Sequence, residues 1–133
     1  MNAIRYSSGY KYQLRADYVV SVGIPGRATT RWLSLCDGEL TIRDGYAWDG
    51  PSGPTFDTNN FMRGSLVHDA LYQLIRLGEV PPDTRAKADQ LLYDICRDDG
   101  MSRLRAWWVW RAVSRFGRGS SRPHSERPIL TAP

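Results

Sequence analysis

The hydrophobic pattern changes period across one Gly/Pro-rich stretch, and this change constrains the fold more than any other feature. Ahead of it, Tyr10, Tyr12, Leu14, Ala16 and Tyr18 alternate with Lys11, Gln13, Arg15 and Asp17. That is the period of two of a half-buried strand. Val19 to Ile24 is apolar apart from Ser21 and Gly23, so the strand can run on. Pro25-Gly26 marks a turn. Arg31 to Leu35 reads as a second strand, Asp37-Gly38 as a hairpin turn and Leu40 to Arg43 as a short third strand. Past the stretch the spacing is helical. Leu66, Val67, Ala70, Leu71, Leu74 and Leu77 form the core stripe of a helix over 61–77. Residues 46–60, with Pro51, Pro54, Gly50 and Gly53, make a long loop that Trp48 and Phe56 anchor by packing. Long ordered loops of this kind are commonly functional.

The expected fold is therefore α+β: a small N-terminal antiparallel sheet, an ordered Gly/Pro loop and a three-helix C-terminal part. Gly78 ends the first helix and Pro81-Pro82 prevents its restart. Asp83 or Thr84 caps a second helix to about Asp98, with Ala88, Leu91, Leu92 and Ile95 as its stripe. The short connection makes these two helices antiparallel neighbours. Gly100 ends the second helix, and Ser102 caps a third that runs to about Phe116. At 133 residues, a single domain over 1–119 followed by a flexible basic tail over 120–133 is the expected organisation.

Apolar residues make up 41% of the chain, enough for a core. No stretch approaches the ~20 apolar residues of a membrane-spanning helix, and Met1 to Ser7 has no apolar core of a secretory signal. Cys36 and Cys96 lack metal-ligand spacing, so neither a disulfide framework nor a zinc site is expected, and a reducing compartment suits folding. The net charge of +4 is unevenly spread: residues 101–133 carry seven arginines and one acid, Glu126. Residues 1–100 carry eleven basic and thirteen acidic groups. The basic end suits nucleic acid, anionic lipid or an acidic protein surface. Only Lys11 and Lys87 are lysine; arginine favours bidentate phosphate and carboxylate contacts, although genome composition explains such usage equally well.

The residues that carry chemistry start with His68-Asp69-Ala70-Leu71-Tyr72, since the other histidine, His124, lies in the polar tail. A neutral imidazole can activate water when a partner fixes its tautomer. Asp89 on the second helix is the candidate partner and Asp94 its competitor. At ~1.5 Å rise per residue, the hairpin places residues near 93 level with His68, leaving Asp89 about one turn off. Asp69 points ~100° around the helix from His68. With Asp49 and loop carbonyls it suits a hard cation such as calcium, Asp57 being a spare ligand. The same residues also suit a buried structural cluster, with His68 bonded to Asp89 or Tyr72 and Asp49 serving a turn.

On the third helix, Leu104, Trp108, Ala112, Val113 and Phe116 are expected to make the buried face. Trp107 and Trp110 fall elsewhere, beside Arg103 and Arg111. Exposed tryptophan interleaved with arginine suits a lipid headgroup layer, a nucleic-acid strand or a protein hot spot. The alternative is that both tryptophans cover the sheet while the arginines reach out to water.

The order of the loop, Leu66-Val67-His68-Asp69-Ala70-Leu71-Tyr72, Arg85-Ala86-Lys87-Ala88-Asp89 and Gly100 to Gly117 resembles a small family of tailed phages and prophages. That family is catalogued only as a domain of unknown function. The resemblance covers roughly residues 10–119 and implies a phage source without an agreed activity. A second resemblance covers residues 48–96. There Pro51 to Phe56, His68-Asp69-x-x-Tyr72 and Ala88-Asp89-x-x-Leu92-Tyr93 are similar to bacterial secreted phospholipases that cleave the sn-2 ester. It implies His68 as the base, Asp89 as its orienter, Tyr72 holding Asp89, and Asp49 with Asp69 on calcium. The cysteines flanking that family's motif are absent here, and an N-terminal sheet is foreign to it.

Two function classes follow as expectations. One is a calcium-assisted ester hydrolase acting at a membrane in phage entry or lysis. The other is a non-catalytic virion or tail component that docks on other phage proteins or on its own copies as a homo-oligomer. Both place synthesis in the bacterial cytoplasm, and the second adds incorporation into the virion. Nucleic-acid binding ranks third, because no known nucleic-acid motif supports it.

Overall fold

The computed structural model describes residues 4, 6–7, 12–48 and 59–116. Strands and helices form two compact units. The fold is α+β, with antiparallel strands followed by three helices.

The strand unit holds two antiparallel sheets. One orders β1 (Tyr6–Ser7), β2 (Tyr12–Leu14) and β7 (Ala47–Trp48) as β1-β2-β7. The other comprises β3 (Tyr18–Ser21), β4 (Arg27–Thr29), β5 (Leu33–Cys36) and β6 (Glu39–Ile42), ordered β3-β6-β5-β4. The β5–β6 hairpin is encoded locally. Leu33, Leu35, Leu40 and Ile42 are buried in alternation, and Leu35 pairs with Leu40 across the strands. Asp37 and Gly38 both have positive φ, 49° and 93°, as a two-residue hairpin turn of primed type requires.

The long strand expected from Tyr10 onward is two strands in different sheets. Leu14 pairs in the first sheet and Tyr18 in the second, with a bend at Arg15-Ala16. The cause lies in the partner segment, where a turn at Asp44-Gly45 separates β6 from β7. Leu14 N–H donates to Tyr46 O and Gly45 N–H to Leu14 O, each at 2.8 Å, while Asp17 Oδ1 accepts Asp44 N–H at 2.8 Å. Gly45 has φ +100°, and a Cβ there would stand 2.8 Å from the Trp32 ring. Periodicity of the first segment alone carries no record of this interruption. The strand at Arg27–Thr29 was likewise not expected.

The helix unit comprises α1 (Asn59–Arg76), α2 (Thr84–Asp98) and α3 (Arg103–Phe116). Gly78 and Gly100, at φ +75° and +99°, end α1 and α2. Glu79 N–H reaches Leu74 O, and Met101 N–H reaches Cys96 O, each at 2.9 Å. These are the six-to-one bonds of Schellman ends. Ser102 Oγ accepts Arg105 N–H at 3.2 Å and so caps α3. The expected cap of α2 is different: Asp83 is in helical conformation and its side chain makes no cap bond. Carbonyls of Pro81 and Pro82 take the first amides instead, from Thr84 at 3.0 Å and Arg85 at 3.2 Å. Proline presets φ for such a turn, so its carbonyls are already in place.

Leu66, Val67, Ala70, Leu71 and Leu74 are buried as expected, but Leu77 is exposed because it lies past the last helical residue. Leu91 on α2 is only half-buried, and Cys96 takes an inward place. Phe61, Leu92, Cys96, Met101, Ala106 and Val109 form a buried cluster shared by the three helices and the α2–α3 connection. Gly64 permits the close approach of α1 to α2, since a Cβ there would stand 2.8 Å from Cys96 Sγ. Arg63 is buried beside it, donating from Nε to Asp99 Oδ2 at 3.0 Å and from Nη2 to Oδ1 at 2.9 Å.

The buried face of α3 is the expected one only at Val113, which packs half-buried against the cluster, and the side chain of Phe116 lies outside the described residues. Ala106 and Val109 point inward, whereas Leu104, Trp108 and Ala112 are exposed. The helix has two apolar stripes, and packing selected the one with small residues, which lets α3 lie close to Cys96 and Met101. The loop residues 49–58 and the tail expected over 120–133 lie outside the described residues.

Candidate functional site

His68 and Tyr72 stand one helical turn apart on α1, with ring centroids 4.1 Å apart. Both turn toward α2. Gly64 lies against Leu92 and Cys96, and Tyr72 meets Asp89. With the helices antiparallel, Asp89 falls opposite the turn of α1 that His68 and Tyr72 span. His68 Nε2 is 2.8 Å from Asp89 Oδ1. Tyr72 OH donates to the same oxygen at 2.6 Å. Asp94 is exposed and accepts a bond from Gln90 at 3.0 Å, so the choice between the two aspartates falls to Asp89.

The second carboxylate oxygen of Asp89 has its own partners. Ser114 Oγ on α3 donates to Oδ2 at 3.3 Å, and Arg85 Nη1 lies 3.5 Å from it. Arg85 also donates to the Ser114 carbonyl at 3.3 Å, joining the start of α2 to the end of α3. A buried carboxylate is costly unless paired and hydrogen-bonded, and Asp89, 1% exposed, has both kinds of partner. Arg85 carries a legible signal in the sequence, its position four residues before Asp89. Ser114 gives no such signal, because only the packing of α3 brings it to the carboxylate.

The electrostatics keep Tyr72 a donor. Burial first, then its hydrogen bond to Asp89 and the charge of that group, hold its hydroxyl well above the ordinary phenol range. With the imidazole proton on Nε2 facing Asp89, the lone pair resides on Nδ1. That tautomer follows from the hydrogen-bond arrangement.

Of the proposed calcium ligands, Asp69 is half-buried on α1 and already has an interaction of its own, while Asp49 and Asp57 lie outside the described residues. Calcium takes six to eight oxygens. Among the described residues no three His, Cys, Asp or Glu side chains gather closely enough to hold a metal. The described donor set is therefore short of a calcium cage. On α3, Arg103, Trp107 and Arg111 are exposed, whereas Trp110 is half-buried.

A family described as "Protein of unknown function (DUF1353)" matches residues 35–113, more than half of the chain, and the chain belongs to it. The match spans His68, Tyr72, Arg85 and Asp89 and stops one residue before Ser114. No curated protein and no solved structure matches the chain.

Proposed function

We propose that this DUF1353 protein is an ester hydrolase in which His68 is the general base and Asp89 its orienter. The observation that supports the reading is the Asp89 carboxylate on His68 Nε2 at 2.8 Å, shared with the Tyr72 hydroxyl. A carboxylate so placed fixes the tautomer and stabilises the imidazolium that forms when Nδ1 takes a proton. The hydroxide thus generated attacks the ester carbonyl carbon. The tetrahedral adduct expels an alkoxide, which recovers the proton from the imidazolium, leaving acid and alcohol. Tyr72, Ser114 and Arg85 keep Asp89 in place during the exchange. Phage origin, a phospholipid ester as substrate and calcium held by Asp69 and Asp49 belong to this proposal through the resemblances noted above.

The test is fatty-acid release from mixed anionic vesicles, read by mass spectrometry, with calcium and with chelator. Wild type is expected to release fatty acid and His68→Asn to lose about 10²-fold or more of the rate. A rise in melting temperature with calcium, absent in Asp69→Asn, would support the metal, because a ligand of the folded state stabilises it. Absence of release by folded wild type removes the hydrolase reading.

One observation favours a second reading. Asp89 joins all three helices through His68, Tyr72, Arg85 and Ser114, as a structural lock would. In that reading the protein is a non-catalytic virion or tail component, made in the bacterial cytoplasm and assembled with other phage proteins or its own copies. It requires the protein in purified particles, and a His68→Asn variant that loses stability where no activity exists to lose.

A further inference from the structure

Three of the large apolar side chains exposed among the described residues share one face of α3: Leu104 at 69%, Trp108 at 61% and Trp107 at 42%. At ~100° per residue they span an arc of about 100° opposite Ala106 and Val109. Arg111 and Arg115 fall inside that arc, and Arg103 lies about 40° beyond its edge. The Arg111 guanidinium lies over the Trp107 ring at 5.7 Å, and the two indoles meet edge-on at 5.5 Å. Every charged residue of α3 is an arginine: Arg103, Arg105, Arg111 and Arg115. Its one hydroxyl side chain, Ser114, is turned to Asp89.

We propose that this face docks the protein on an anionic phospholipid bilayer. Indole rings settle at the headgroup level of a bilayer, and guanidinium pairs with phosphate oxygens bidentately. A helix with apolar and cationic side chains on one face, and without amides or hydroxyls to read a specific partner, matches a surface recognised by depth and charge. No helix among the described residues is long and apolar enough to cross a membrane, so α3 lies along the bilayer surface. The proposal goes beyond the hydrolase reading, since docking requires neither His68 nor turnover.

The experiment is co-sedimentation of the full chain with vesicles of phosphatidylcholine alone and of phosphatidylcholine and phosphatidylglycerol in equal parts. It is run on wild type and on His68→Asn, so that failure of hydrolysis is not read as failure of docking. Both proteins are expected to bind the mixed vesicles, less so as salt rises, and to bind the neutral ones weakly. Trp107→Ser/Trp108→Ser should lose about tenfold or more in partitioning. Arg103→Gln/Arg111→Gln, which removes two exposed guanidiniums and keeps both indoles, should lose the preference for anionic lipid. Unchanged melting temperatures show that both variants are folded. No sedimentation with the mixed vesicles overturns the proposal and turns the face over to a protein partner. Undiminished binding by the folded tryptophan variant overturns it as well.

Discussion

The seam between α1 and α2 and the outer face of α3 break the same rule in opposite directions. Hydrophobic side chains ordinarily go inside and charges outside. The seam buries His68, Arg63 and the Asp89 carboxylate, whereas α3 leaves two tryptophans and a leucine in water. The seam resolves its conflict internally: Asp89 has partners on both oxygens and Arg63 grips Asp99. Helix α3 does not resolve its conflict within the described residues, and its exposed face is therefore the stronger sign of an external partner. Departures of this kind concentrate at functional sites.

The sharpest way to break this comparison is to remove the carboxylate that centres the seam. Asp89→Ala strands four partners, and loss of one member of a buried charged set costs about 3–5 kcal/mol. Asp94→Ala, five residues along the same helix and exposed, should change stability by less than about 0.5 kcal/mol. Urea unfolding of the two variants measures the difference, and similar midpoints would show that the seam is not held by Asp89.

The seam should also weaken in alkali. Burial pushes the Cys96 thiol from 9.0 up to about 12, and Tyr72 is raised in the same sense. Both folded-state values lie above the unfolded ones, so the folded state retains protons that the unfolded chain has lost. The stabilisation is complete below about pH 9 and is lost as pH rises toward about 12. Cys96 contributes a slope of up to about 1.4 kcal/mol per pH unit over that window. Denaturation midpoints across the range check the sign. At pH 8, alkylation of the folded protein should label exposed Cys36 and spare Cys96.

A smaller effect sharpens the packing half of the comparison. Gly64→Ala places a methyl group 2.8 Å from Cys96 Sγ and should cost about 1–3 kcal/mol through overpacking. Cys96→Ala in the same chain should recover part of that loss, a coupling that a double-mutant cycle reads directly. The smallest effect belongs to α3. Trp108→Ala should leave stability within about 0.5 kcal/mol, a result opposite to that expected if Trp108 belonged to the buried face.

These residues separate what is encoded nearby along the chain from what is not. The Asp37-Gly38 hairpin turn, the helix ends at Gly78 and Gly100 and the Ser102 cap depend on backbone conformation and bonds within about six residues. All were legible in the sequence. So was the pairing of His68 with Tyr72, which follows from helical spacing. The candidate partner of His68 was narrowed to two aspartates and no further, because a register one turn either way suits both. Asp83 misled, because Pro81 and Pro82 had already supplied the carbonyls that a cap would replace.

By itself the sequence determined the α+β class, the local turns and the two side chains that α1 turns toward α2. Tertiary structure decided which aspartate meets them, that Ser114 joins Asp89, where the first strand breaks and which stripe of α3 is buried. The reason is one of energy scales. Local conformational preferences select turns, caps and periods strongly, but they leave two apolar stripes on a short helix nearly equal. The close contact that Ala106 and Val109 allow with Cys96 and Met101, residues distant from or beyond the helix itself, broke that tie.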